Sequence, residues 1–554
     1  MNEAFGAVAA TRSQQRARKG LALLPVGRIA VLMLIALGGL AIRAYRLPKR
    51  SLWFDEAFTW RLTQFPFAEM LRRITLDNSP PLYYMLLKIW LGVFGHSAGA
   101  LRSFSVCCGG LTILGMYLFV AEAFRQTPRT GSQPGTRRSN AGLLVAALIA
   151  MSVFQIRWSW ETRMYSFGTA LAALSSWALF RALNHQCNRL GPWLVYALIT
   201  LAFAYSHNYA LFTIAAQGVF VLGFLLVRFR WSVRRLVQAK LFWHALMAAD
   251  VLVVGWLPWL PFFLHMKTQV QDTFWTHPLR WRDIPDACHE MMVTAQSGKL
   301  RHDEALVVAA LSGLCLLALL WKARAGEWYV FLAAVVPFGL SVLVSIWDTK
   351  VFSPRYFVFA QLFLLTCLGV LVWRIPFKLE RRLVSAMLLA GFLYVYVAFW
   401  RDLDVAHKPG ARAAIAWIQA RRHPCEPLIV SSPLLYLPIL YHAGEQGAGP
   451  VYLAESPVPH YFGTAVLSAD DLFTAEQLAA VRNGRAWVVN TTGWGGSTVA
   501  VPARWVARAE TRFPEVYRLQ GEIIVVEYET GARPGAGGLR SRSHEGQGLR
   551  PPSR

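Results

Sequence analysis

The sequence predicts a polytopic α-helical membrane protein with a small soluble α/β domain at its C-terminal end. Three observations lead there. Hydrophobic residues make up 55% of the 554 positions and charged residues 16%, against about a quarter charged in an average soluble domain. Apolar runs of transmembrane length recur up to residue 400 and then stop. Basic residues concentrate in the short loops between those runs, where the positive-inside rule places them. The net charge of +25 therefore reads as membrane topology, and no nucleic-acid partner is expected. The 22 Trp suit interfacial belts and sugar-stacking surfaces alike.

Residues 1–20 are polar and basic (Arg12, Arg16, Arg18, Lys19) and read as a cytoplasmic tail. The apolar run 22–46 exceeds a signal-peptide core and lacks a small-residue cleavage site, so it reads as an uncleaved first span. The transmembrane unit occupies 21–400, with 47–101 as its first extracytoplasmic loop. In that loop Leu82–Phe94 follows Ser79-Pro80-Pro81 and is short for a span. Its Lys88, Tyr83, Tyr84 and Trp90 suit a helix lying on the membrane surface. The cations decide the matter. With Leu82–Phe94 interfacial, the loops holding Arg125/Arg129/Arg137/Arg138, Arg228/Arg230/Arg234/Arg235/Lys240, Lys322/Arg324 and Arg374/Lys378/Arg381/Arg382 all face inward. With it as a span, all four would face out.

About eleven transmembrane helices follow, at 22–46, 102–124, 141–157, 164–182, 193–206, 209–227, 242–264, 303–321, 328–347, 356–373 and 383–400. Residues 401–529 read as an extracytoplasmic α/β domain. Ala411–Arg422 has helical spacing, and Pro427–Ser431, Ala486–Asn490 and Glu522–Glu527 read as short buried strands. Residues 530–554 are rich in Gly, Arg, Ser and Pro and read as a disordered tail. Of seven Cys, only Cys288 and Cys425 fall in outer segments, so theirs is the one disulfide the topology allows.

Sorted by side, the unusual polar residues collect on the outer face. The first loop carries Asp55 and Glu56, adjacent carboxylates flanked by Trp53, Phe54 and Phe58, then Asp77, Asn78 and Lys88, with Arg102 at its exit. The turn Trp158–Tyr165 adds Glu161, Arg163 and Tyr165, and the next outer turn adds His207 and Asn208. The loop 265–302 adds His265, Lys267, Asp272 and His277, and the loop before the tenth span adds Asp348, Lys350 and Arg355. Each has a plainer reading. Asp55 or Glu56 could cap a short helix, Arg102, Arg163 and Arg355 could be snorkelling anchors, and Glu161 and Arg163 could pair only to hold a turn. Against that, outer-face cations run counter to the positive-inside rule. Paired carboxylates at a membrane boundary are a functional-site hypothesis by default.

The ordered motifs W-F-D-E-A (53–57), S-P-P-L-Y-Y (79–84), L-R-S-F-S (101–105), E-T-R-M-Y (161–165), H-N-Y (207–209) and S-P-R-Y (353–356) resemble those of glycosyltransferase family 39 in the GT-C superfamily. That family's relatives include protein O-mannosyltransferases and the bacterial transferase that adds aminoarabinose to lipid A. The resemblance covers residues 25–400, and His407-Lys-Pro-Gly-Ala-Arg412 extends it weakly into the tail domain. It implies a GT-C-like fold and an enzyme that uses a polyprenyl-phosphate-linked sugar. It further implies a multi-pass protein of the bacterial inner membrane, with its site and C-terminal domain outside. Asp55 matches the family's essential acid, Glu56 follows it, Glu161 loosely matches a second acidic position, and Arg102 matches the arginine opening the second span. Family members differ on metal dependence. The sequence shows no clear ligand set for a divalent metal, Glu56 with His207 or His277 being a guess, and the cofactor stays open.

The chemistry agrees with the residues. Polyprenyl phosphate is a good leaving group, so no nucleotide is needed, and the chain carries no P-loop or Rossmann fingerprint. A carboxylate can take the acceptor's proton, and cations can stabilise the departing phosphate. One direct displacement inverts the anomeric carbon. The expected catalytic set is Asp55, Glu56 and Glu161. Arg102, Arg163, Lys350 and Arg355 are expected on the donor phosphate, and Asp77, Lys88, His207 and Tyr165 on the substrates. The acceptor, whether protein, lipid or envelope glycan, is not legible. The rival reading is a lipid or sugar transporter or flippase, but transporters carry repeated halves and midplane charges, and neither is visible in the sequence. The topology is testable with reporter fusions after residues 135, 235 and 450. The first two should report cytoplasm and the third the outside; a cytoplasmic signal at 450 would reject it.

Overall fold

The computed structural model describes residues 26–77, 79–125, 139–184, 189–273, 277–293, 302–347, 351–444, 449–453, 463–482 and 484–531. The expected basic tail, the residues beyond 531 expected to be disordered, and Asn78, Asp348 and Lys350 lie outside them. The chain is a helical membrane bundle carrying a small sheet domain. Each expected span has a helix: α1 (Val26–Ala44), α5 (Ala98–Ala123), α6 (Ser139–Met151) with α7 (Val153–Ser159), α8 (Tyr165–Asn184), α9 (Gly191–Ala204), α10 (Ala210–Arg228), α11 (Lys240–Trp256), α14 (His302–Leu319), α15 (Ala325–Trp347), α16 (Val358–Arg374) and α17 (Lys378–Leu403). Eight helices among the described residues are long and apolar enough to cross a membrane, nine with the bent pair α6–α7. Helices α8 and α9 lie at the two remaining expected spans but do not meet that test of length and apolarity.

The first loop folds into three short helices: α2 (Phe54–Gln64), α3 (Phe67–Ile74) and α4 (Leu82–Phe94). Two more, α12 (Leu260–Thr273) and α13 (Asp283–Val293), lie in the loop before α14.

Helix α5 runs through the bundle with Ile113, Met116, Phe119 and Val120 fully or almost fully buried. It is rich in glycine on the face where α1 and the α7 turn approach. A Cβ at Gly110 would come within 2.8 Å of Leu40, and one at Gly109 within 2.7 Å of Ser159 Oγ. Small residues are what let membrane helices pack this closely.

The span α6–α7 bends by 60°, which the sequence did not foretell. Ser152 sits at the break and accepts the Gln155 N–H at 3.4 Å, capping α7. The broken end of α6 leaves carbonyls that lipid cannot satisfy. Arg43 of α1, fully enclosed, supplies the donors: 2.9 Å to the Ala150 carbonyl, 3.0 Å to Ile149 and 3.3 Å to Ser159 Oγ.

The C-terminal domain follows α17. Helices α18 (Gly410–Gln419), α19 (Pro433–Ala443) and α20 (Ala475–Ala480) accompany a six-stranded sheet of order β3-β2-β1-β4-β6-β5. Its strands are β1 (Leu428–Val430), β2 (Val451–Leu453), β3 (Leu472–Phe473), β4 (Arg485–Thr491), β5 (Val506–Pro514) and β6 (Glu522–Glu529). Strands β3, β2, β1 and β4 pair in parallel and β6 and β5 antiparallel. Strands β1, β4 and β6 fall where the apolar runs predict them; β2 and β3 are too short to show a pattern, and β5 alternates charge on an edge. Cys288 and Cys425 are both free, so the allowed disulfide is absent.

Replacing Arg43 by Met should leave two α6 carbonyls without donors, at a cost of about 1–3 kcal/mol each. A thermal melt in detergent should fall by several degrees. An unchanged melt would mean that packing alone holds the break.

Candidate active site

Trp53 precedes α2, which starts at Phe54, so Asp55 and Glu56 occupy its first turn, where the helix dipole favours negative charge. Successive helical residues point about 100° apart, and these two carboxylates meet different fates. Glu56 turns inward and is wholly buried. Arg102 of α5, also wholly buried, grips it with Nε at 2.7 Å and Nη2 at 2.6 Å. The Thr162 N–H adds a bond at 3.3 Å, and Arg50 lies 3.8 Å away. Burial alone would raise the Glu56 carboxyl; Arg102, with Arg50 and Thr162, outweighs it and holds the group below the usual range.

The remaining donors of Arg102 go to the carbonyls of Leu47, Arg50 and Ser51 at 2.7, 2.9 and 3.0 Å. That corrects the expectation that Arg102 meets the donor phosphate. Its guanidinium is consumed in fastening the 47–56 segment to α5. Glu56 is likewise committed to a partner, which removes it from the metal pairing suggested above.

Asp55 faces the other way and stays 17% exposed. Arg355 Nη1 stands 3.6 Å and Arg163 Nε 4.0 Å from its Oδ2. Among the described residues its carboxylate accepts no hydrogen bond, so its lone pairs stay open. Arg163 is steadied by Tyr84 Oη at 3.1 Å. Arg355 comes from the turn Pro354–Phe357 at the entrance of α16, and Arg163 from the turn between α7 and α8. Residues about 190 positions apart thus converge on one carboxylate.

His207 lies against the same group, its ring 5.4 Å from Tyr165 and 5.6 Å from Tyr356. Its Nδ1 accepts the Tyr209 N–H at 3.0 Å, which leaves the hydrogen of the neutral ring on Nε2. That buried Nε2 has no hydrogen-bond partner among the described residues. Burial, with Arg163 and Arg355 nearby, pushes the imidazole down to about 3, so it is a neutral donor. Glu161 is 1% exposed with Oε2 unpartnered, and burial pushes its carboxyl up to about 8 despite Arg157.

Other expected residues sit elsewhere. Lys88 donates to the carbonyls of Thr63 and Phe65 at 2.8 and 2.9 Å, closing the C-terminal end of α2. This corrects its assignment to substrate. Tyr165 is almost fully buried and packs on Trp158 and His207, a wall of the site rather than an exposed platform. Asp77 acts electrostatically on Tyr84 and Arg163 from beyond α3. His277 is exposed and pairs with Asp283 at 3.6 Å. Among the described residues no group of three or more His, Cys, Asp and Glu is arranged to hold a metal ion.

Sequence reasoning missed the residues that tie the tail domain to this loop. Ser51 Oγ lies 3.0 Å from His442 Nε2, Arg412 donates to the carbonyls of Pro48 and Lys49, and Arg50 bonds Tyr517 Oη. No periodicity marks such contacts. Only the match at His407–Arg412 hinted at Arg412.

A bundle of apolar helices with its charged cluster at span entrances, roofed by loop helices and a sheet domain, defines a class of helical membrane protein. It is that of the GT-C fold, which the chain has. The crystal structure of ArnT from Cupriavidus metallidurans bound to undecaprenyl phosphate matches with a TM-score of 0.55 at 13% identity, covering 91% of this chain and 98% of that one. The apo state of the same protein matches at 0.56 with the same identity and coverage. No protein-family model and no curated protein sequence matches the chain.

Two predictions follow from the geometry. Glu56→Gln leaves Arg102 buried beside a neutral group and should cost about 3–5 kcal/mol, the range for breaking a buried pair. A detergent melt should show it, while Asp55→Asn leaves the melt near wild type. Glu161 keeps its proton to about pH 8 when folded and sheds it from about 4.5 when unfolded. The folded state therefore loses stability as pH rises through that window. Glu161→Gln should lessen the loss and weaken the infrared band of protonated carboxyls at pH 7, the remainder coming from Glu515, which burial pushes up to about 7.

Proposed function

We propose that the chain is a membrane glycosyltransferase. It moves a sugar from a polyprenyl-phosphate carrier to an acceptor hydroxyl at the outer face of the bacterial plasma membrane, with inversion. The observation that carries this reading is the asymmetry of the two adjacent carboxylates. Glu56 is locked by Arg102, whereas Asp55 keeps open oxygens beside two arginines drawn from two span entrances. A base needs unspent lone pairs, and a phosphate leaving group needs cations in a water-poor place. Here they adjoin. The ArnT structure that shares the fold was solved with undecaprenyl phosphate, which agrees with a lipid-phosphate ligand.

In this mechanism Asp55 takes the proton of the acceptor hydroxyl as its oxygen attacks the anomeric carbon. Arg163 and Arg355 receive the departing phosphate. The Nε2–H of His207 is a further donor for a phosphate or sugar oxygen, and being neutral it adds no charge to the site. Glu161, protonated, offers a second uncharged donor. Glu56 and Arg102 hold the loop. The sheet domain, bonded to that loop, bounds the space where the acceptor must enter. Lys350 belongs to the segment leading into Arg355 and is proposed as a helper on the phosphate.

The test is transfer from a purified lipid-linked sugar donor by the full chain in detergent. Asp55→Asn should lower turnover by about a hundred- to ten-thousand-fold, the range for lost general-base help. Arg355→Lys should also impair it, because the guanidinium fork is lost while the charge stays. Near-normal transfer by Asp55→Asn would reject Asp55 as the base.

A further inference from the structure

Resting on the transferase reading, the contact between Asp55 and the two arginines carries a further consequence. Oδ2 of Asp55 stands 3.6 Å from Arg355 and 4.0 Å from Arg163. The base therefore occupies the counter-ion position of the very cations that the leaving phosphate requires. Glu56 cannot substitute, because both its oxygens are bonded to Arg102.

Charge accounting through the displacement shows what this does. The lipid-linked donor is a phosphodiester with one negative charge. The acceptor O–H bond breaks and its proton passes to Asp55. The acceptor oxygen's electron pair forms the new bond to the anomeric carbon. The bond from that carbon to the phosphate oxygen breaks, and its electrons stay on the phosphate. The products are a neutral Asp55 and a phosphomonoester with two negative charges. One negative charge leaves Asp55 as one appears on the phosphate a few ångströms away, and the two arginines face the same total throughout.

We propose that Asp55 is both the base and a competitive ligand of Arg163 and Arg355, so that its protonation hands the arginine pair to the leaving phosphate. The cations are then matched to the transition state rather than to the bound donor, since Asp55 screens them until the proton moves. Stabilisation that grows as the reaction proceeds is what accelerates the chemical step. The same screening returns when Asp55 loses its proton after turnover, and it expels the dianionic carrier. Product release is thereby built into the base.

The proposal makes a counter-intuitive demand of an inactive variant. Asp55→Asn removes the competing charge and should bind the spent carrier better than wild type. The measurement is equilibrium binding of farnesyl monophosphate and of farnesyl methyl phosphate to the full chain in detergent. The affinity for the monophosphate should rise by about tenfold or more, since a unit charge at about 4 Å is worth several kcal/mol at an effective dielectric near 20. The gain for the singly charged diester should be smaller. Asp55→Ser carries the same expectation, which covers the failure of either variant to fold. If the monophosphate binds wild type and is lost in Arg355→Ala, yet both Asp55 variants bind it no better than wild type, the hand-off is wrong while the lipid-phosphate site stands. If the monophosphate binds neither wild type nor any variant, the transferase reading itself falls, and the hand-off with it.

Discussion

Glu56 and Arg102 meet through two hydrogen bonds of 2.7 and 2.6 Å in a place that no solvent reaches, and the geometry of the charged cluster depends on that pair. A buried ion pair is weak evidence for stability, because desolvation of both ions offsets their attraction. What this one supplies is position. Arg102 also holds the carbonyls of Leu47, Arg50 and Ser51, and Glu56 holds the N–H of Thr162. One planar fork therefore fixes three chain segments: the exit of α1, the start of α2 and the turn between α7 and α8. Asp55 stands on the second of these and Arg163 on the third. Their separation is set by a neighbouring pair that is wholly buried.

The sheet domain reinforces the same loop from outside. Apolar residues of α2, α3 and α4 (Phe58, Leu62, Met70, Leu87) share a core with Leu435, Leu437 and Ile439 of α19 and Val466. Polar bonds stitch the edges: Arg61 meets Asp471 at 3.5 Å, Arg73 donates to the carbonyls of Ala465 and Leu467, and Tyr441 to that of His96. Glu515 lies under the start of α18 and accepts the Ala411 N–H at 3.2 Å. The loop helices are too short to be stable alone, since helices below about a dozen residues are marginal in water. They gain their order from the bundle below and the domain above.

How much of this could be read beforehand divides along physical lines. The spans were legible because bilayer thickness imposes a run length and loop cations impose a direction. A helix lies at each expected run, and eight or nine of them among the described residues are long and apolar enough to cross a membrane. The break at Ser152 was not legible, because the carbonyls it frees are met by Arg43 on a different helix, and no local signal announces a remote donor. The strands β1, β4 and β6 showed as apolar runs, whereas β2 and β3 have three and two residues, too few for any period. At the site, charge type and sidedness were enough to gather Asp55, Glu56, Arg102, Arg163, Glu161, His207 and Arg355 into one neighbourhood. They could not divide the labour. Arg102 and Arg355 look alike in sequence, each at the opening of an apolar run. Only burial and partner geometry separate the one whose donors are all consumed from the one that faces a solvent-accessible carboxylate.

Many charges coexist in this cluster because most of them are spent or neutralised. Arg43 and Arg102 are neutralised or spent on carbonyls, and Lys88 is spent on the end of α2. Glu161 avoids the cost of a buried charge by holding its proton, and His207 by not taking one. Beside them, Asp55 faces Arg163 and Arg355 with a carboxylate that accepts no hydrogen bond among the described residues. Pairing or neutralisation of the buried charges named above leaves the field around Asp55, Arg163 and Arg355. An anion entering that field competes with a single carboxylate for two guanidiniums, a contest that moving one proton is enough to tip.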